Sequence, residues 1–115
     1  MKREGDQGET LAGEFLAAKG LRLVQKNYRC RQGEIDLICH EGNTLVFVEV
    51  RLRRGAAFGG AAESITMAKR RRLLLAARHY LANLGGALPP CRFDAVLLKG
   101  LNPSDVEWVK DAFSE

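Results

Sequence analysis

Cysteine is scarce and unpatterned. Cys30, Cys39 and Cys91 are an odd number with no C-x-x-C pair. That argues against a disulfide framework and against a zinc site, and for free thiols in a reducing compartment. No apolar run approaches the ~20 residues a membrane span needs. Met1-Lys2-Arg3-Glu4-Gly5-Asp6 leads into no apolar signal core, which argues against secretion. The expectation is a cytoplasmic protein with no membrane partner. There is no nucleophile motif, no phosphate loop and no dinucleotide fingerprint, since Gly55, Gly59 and Gly60 lack the required spacing. What is present is 115 residues with 46% apolar content, which excludes a disordered chain and suits one domain over residues 1–115.

Charge is strongly segregated. The net +4 arises from 18 basic and 14 acidic side chains. Residues 19–31 carry only bases, net +5, and residues 51–72 are net +6. Between them, residues 32–50 carry only the acids Glu34, Asp36, Glu41 and Glu49. A polyanion is drawn to the basic segments. It is repelled by the acidic island unless something neutralises those carboxylates.

The periodicities predict a mixed α/β domain in the order α-β-β-β-α-β-β. Leu11, Ala12, Phe15, Leu16 and Ala18 recur at helical spacing over residues 8–19, with Gly20 as the stop. A first strand runs from Leu21 to Tyr28. Residues 34–39 and 45–52 alternate as strands around Gly42-Asn43, a two-residue hairpin signal. Residues 53–62 read as a glycine- and alanine-rich loop. A long helix runs from an N-cap at Ser64 to about Leu84, with Ile65, Leu73, Ala76, Ala77, Tyr80 and Leu84 on one face. Arg92 to Leu98 is a further strand, and residues 105–112 a last one. Trp108 reads as core and Asp94 as structural. His40 and His79 read as surface or hairpin-edge residues. Tyr28 and Phe58 read as packing residues rather than base-stacking ones.

The hairpin register has chemical consequences. With Gly42-Asn43 as the loop, opposed residues have numbers summing to 85. Asp36 then faces Glu49, and Glu34 faces Arg51, on the face that also carries Ile38, Leu45 and Phe47. Ile35, Leu37 and Cys39 share the other face with Val46, Val48 and Val50. Two opposed carboxylates on buried strands need protonation, a cationic partner or a metal. Carboxylates with water and a phosphate oxygen are the ligands Mg²⁺ or Mn²⁺ accepts. Alternatively, Arg51 neutralises the acids in a salt-bridged cluster.

Gly33-Glu34-Ile35-Asp36-Leu37-Ile38 followed by Val46-Phe47-Val48-Glu49-Val50-Arg51 resembles the D…(D/E)-x-K core of restriction-endonuclease-like nucleases. Gly8-Glu9, Asn27-Tyr28-Arg29, Phe58-Gly59, Glu63-Ser64, Lys69 and Arg92-Phe93-Asp94 extend the likeness over nearly the whole chain to the uncharacterised YraN-type family. The resemblance implies a restriction-endonuclease-like domain, a mixed sheet flanked by helices, with archaeal Holliday-junction resolvases among its relatives. It implies a Mg²⁺ or Mn²⁺ site formed by Glu9, Asp36 and Glu49 and acting on DNA phosphodiesters, branched DNA included. Asp36, Glu49 and Arg51 are the catalytic candidates. Arg51 stands where the pattern has lysine, and an arginine cannot serve as a general base, though it can hold a phosphate oxygen. Lys69 is the nearest candidate for a displaced lysine. Arg53, Arg54, Lys69, Arg70, Arg71 and Arg72 are the candidate phosphate contacts. A homodimer would suit a two-fold DNA substrate. Two rivals stand beside this reading: a non-catalytic nucleic-acid-binding module on the same fold, and an interaction protein with a salt-bridged acidic cluster.

Overall fold

Five strands and two helices follow in the expected order. In a computed structural model, which describes residues 4–52 and 66–113 (side chains from Gln7 onward), they are α1 (Glu4–Ala18), β1 (Arg22–Cys30), β2 (Gly33–Glu41), β3 (Thr44–Leu52), α2 (Met67–Ala82), β4 (Cys91–Leu98) and β5 (Val106–Phe113). Arg53, Arg54, Phe58, Ser64, Ile65 and the 53–62 loop lie outside the described residues.

The first helix ends where its sequence says it should. Gly20 sits at φ 99°, a left-handed value that glycine adopts at no steric cost. Its N–H donates to Ala17 O, and the Leu21 N–H reaches back to Leu16 O at 3.0 Å. That pair of bonds is a Schellman stop, and Leu16 and Leu21 complete it by packing in one core cluster. The second helix is capped by the Thr66 hydroxyl, which accepts from the Lys69 N–H at 3.1 Å. It stops at Asn83, so Leu84 falls beyond the helix and is 47% exposed rather than part of the apolar face.

The sheet order is β1-β2-β3-β4-β5. β1, β2 and β3 form an antiparallel meander. β3 and β4 run parallel through the α2 crossover, and β5 returns antiparallel. Gly42 takes the positive φ of 59° that a glycine-first two-residue hairpin needs. α1 packs on β1, β2 and β3, and α2 on β1 and β2. One core cluster joins Ala12 and Leu16 to Leu37, Cys39, Val46, Val48, Val96 and Leu98. The other joins Leu73, Ala76 and Ala77 to Ile35, Ile38, Leu45, Phe47 and Phe93. Among the described residues, no helix is long and apolar enough to cross a membrane.

The hairpin register holds from Glu41–Thr44 to Leu37–Val48, each pair summing to 85, and there the ladder stops. The expected Asp36–Glu49 and Glu34–Arg51 steps are not part of it. Past Leu37 the strand follows β1, with Ile35 opposite Tyr28 and Glu34 opposite Arg29. The alternation tied to β3 is lost with the ladder, so Ile35 packs beside Ile38 rather than beside Leu37 and Cys39. β2 and β3 thus part at one end, and the acidic residues lie at the parting.

Candidate functional site

The parting is closed by a side chain. Val50 N–H donates to Asp36 Oδ2 at 2.8 Å, a bond that a backbone carbonyl would otherwise receive in a continued ladder. Glu49, next along β3, is only 6% exposed. Its Oε2 accepts from Lys69 Nζ at 2.9 Å, so the first turn of α2 reaches the pair. One hydrogen bond to a charged group contributes about 1.5–3 kcal/mol. Burying an ion costs several kcal/mol. The pair is therefore under-compensated, and Asp36 records it. Burial, then the charge of Glu49 and a hydrogen bond shared with it, raise the Asp36 pKa to about 8, and Glu9 on α1 adds to the rise. The Val50 N–H opposes the shift without cancelling it.

The carboxylates open into a cleft of about 340 Å³. Buried Glu49 and Leu73 line it with half-buried Asp36, and the more exposed lining, its rim, carries Arg31, Lys69, Arg72 and Arg29, the last ion-paired with Glu34. The rim depends on one glycine. A Cβ on Gly33 would stand 2.3 Å from the Arg72 carbonyl oxygen. Only glycine lets the β1–β2 turn seat against α2, bringing the two basic segments to the same opening.

The predicted residues divide. Asp36 and Glu49 come together as expected. Glu9 lies near enough for its charge to act on Asp36. Yet among the described residues no three His, Cys, Asp or Glu side chains gather closely enough to hold an ion unaided. Arg51 is half-buried on β3 beside Leu97 and does not line the cleft. The cation that reaches Glu49 is Lys69 instead. Glu34 pairs with Arg29 (3.2 Å), the outcome of β2 following β1 at that end. The basic run of α2 spreads around the helix: Lys69 and Arg72 face the cleft, while Arg70 sits over the Phe113 ring at 5.5 Å. Arg71 lies with Arg70 along a separate apolar groove that includes Leu74 and Phe93.

Arg29, Arg31 and Gly33 are the site residues the sequence reading passed over. Net +5 over residues 19–31 was the available signal, but it gave no direction. Asp94 is structural, as expected. It is fully buried and accepts from Arg92 Nε (3.0 Å), Trp108 Nε1 (3.0 Å) and the Asp111 N–H (2.9 Å). His79 is exposed, and its Nδ1 meets the Tyr28 hydroxyl.

Comparison with known proteins places these residues in a wide kinship. The model of the uncharacterised protein family UPF0102 matches residues 8–98, which include both carboxylates, Gly33 and Lys69. A UPF0102 protein of Methylobacillus flagellatus is 54% identical over 114 residues, covering 99% of each chain. One of Nitrosospira multiformis is 55% identical over 113 residues, covering 98% of this chain and 94% of its own. One of Cupriavidus taiwanensis is 56% identical over 110 residues, covering 95% of this chain and 81% of its own.

Proposed function

This chain belongs to the uncharacterised protein family UPF0102, and we propose that it is a divalent-cation-dependent endonuclease-like protein acting on DNA phosphodiesters, with a restriction-endonuclease-like fold. The observation that carries this reading is the under-compensated Asp36–Glu49 pair in a cleft rimmed by four cations. A purely structural carboxylate would be enclosed by donors, as Asp94 is, whereas this pair lines an open cleft. The five-stranded mixed sheet with a helix on each face is in keeping with the fold.

The donors fit Mg²⁺ or Mn²⁺. They are hard carboxylate oxygens, and two of them leave room for the waters and phosphate oxygens such ions keep. Asp36 and Glu49 would hold the ion, and Glu9 would strengthen the local negative potential rather than close a cage. When bound, the ion supplies Lewis-acid polarisation of a phosphodiester and a water of lowered pKa. Arg29, Arg31 and Arg72 hold flanking phosphates, Arg31 and Arg72 with forks suited to bidentate contact. The scissile-phosphate contact expected of Arg51 falls to these rim residues.

One observation favours a second reading, a nucleic-acid-binding module without cleavage: Lys69 already neutralises one of the two carboxylates. The deciding experiment incubates wild type and Asp36→Asn with duplex, branched and single-stranded DNA in Mg²⁺ or Mn²⁺. Cleavage by wild type alone supports the enzyme. Steeply salt-dependent binding with no cleavage under either metal supports the module.

A further inference from the structure

Lys69 occupies an unusual position. It is held in the first turn of α2 by the Thr66 cap, where a positive charge opposes the helix dipole and no acidic residue of that turn offsets it. Its compensation comes from across the cleft. The ammonium lies 2.9 Å from Glu49 Oε2, and the side chain stays 39% exposed against 7% for that of Glu49. A half-exposed, flexible stem therefore carries a compact cation into a buried acidic site. The same stem can withdraw to solvent without disturbing the core, which is built from Leu73, Ala76 and Ala77 on the neighbouring turns.

We propose that Lys69 is the built-in counter-ion of the Asp36–Glu49 pair, and that a divalent cation enters by displacing it. The proposal rests on the reading of the pair as a divalent-cation site. Both cations seek the same Glu49 oxygen, so they bind in competition. The displaced ammonium stays at the mouth of the cleft beside Arg72, where it adds to the phosphate-facing rim. Metal entry and the strengthening of the anion-binding rim are then one exchange.

Competition sets the sign of a measurement that needs no DNA and no activity. Removing Lys69 makes the pocket more negative by one charge. A divalent ion gains twice what a proton gains from that change, so the metal wins even where it must expel the Asp36 proton. Titration of Mn²⁺ into Lys69→Met is expected to show binding about tenfold tighter than wild type, within the range usual for coupled sites. Arg51→Met is expected to bind as wild type does. Lys69→Gln, with thermal melting as a check on folding, guards against a packing artefact. Equal or weaker Mn²⁺ binding by folded Lys69→Met and Lys69→Gln, with wild type binding normally, overturns the proposal alone. Failure of wild type and both Lys69 variants to bind Mn²⁺ overturns the divalent-site reading on which it stands.

Discussion

The sheet buries two carboxylate clusters and finishes them differently. Asp94, on β4, is enclosed. Arg92 grips both of its oxygens, Trp108 donates a ring N–H, and Asp111 turns its backbone N–H inward at a left-handed φ of 52°. Arg92 is itself shared with Glu41, so the charges form a closed network. Asp36 and Glu49, at the parting of β2 and β3, receive one backbone N–H and one lysine. The first arrangement fixes β5 onto the sheet and leaves nothing to recruit. The second keeps a proton between its two carboxylates at neutral pH and lines an open cleft, where a cation could take that proton's place. Both clusters contain an aspartate beside a basic residue, and only the count of donors separates structure from site.

The contrast can be broken most forcefully at Asp94. Asp94→Asn strips the fully buried charge from this network and leaves Arg92 with Glu41 alone, and should cost about 3 kcal/mol in urea unfolding. Trp108→Phe removes one donor and leaves an acceptor short, for an expected loss of about 1–2 kcal/mol in the same assay. At the other cluster the sign reverses. Asp36→Asn keeps an oxygen for the Val50 N–H and removes the repulsion with Glu49. It should stabilise the cation-free protein at pH 8 by on the order of 1 kcal/mol. Asp36 also sets a pH dependence. With its pKa raised from 3.8 to about 8, the folded protein retains a proton that the unfolded chain has released between those values. Stability of the cation-free protein should therefore fall as pH rises from about 4 through about 8, a slope that Asp36→Asn flattens. The smallest effect belongs to the rim. Arg31→Ala and Arg72→Ala should leave stability within about 0.5 kcal/mol of wild type. Each should lower the salt slope of duplex binding by about 1.

Much of this was legible from the residues alone. The element order, the Gly20 stop, the Gly42-Asn43 hairpin and the pairing of Leu37 with Val48 follow from period and turn chemistry, which are local. The Asp36–Glu49 juxtaposition was legible because the register fixes it to within a step. What was not legible depends on contacts between distant segments. Ile35 changes face where the β3 ladder ends beyond Leu37 while β2 stays paired with β1, and no pattern within residues 34–51 marks that point. Lys69 was legible as the candidate for a displaced lysine, but its reach to Glu49 was not, because that depends on the α2 crossover setting its first turn over the parting. Gly33 reads as a turn residue until the Arg72 carbonyl is seen against it. The acidic island between two basic segments was visible as arithmetic. That the segments converge on one cleft was not.

Calorimetric titration of Mn²⁺ into wild type and Asp36→Asn at pH 6 and pH 8 tests whether the open pair is a divalent-cation site. One ion per wild-type chain is predicted, bound more tightly at pH 8, with proton release at pH 6 as the metal displaces the Asp36 proton, and no binding to Asp36→Asn. A wild-type protein that binds no Mn²⁺ at pH 8, or an Asp36→Asn variant that binds it equally well, contradicts the account.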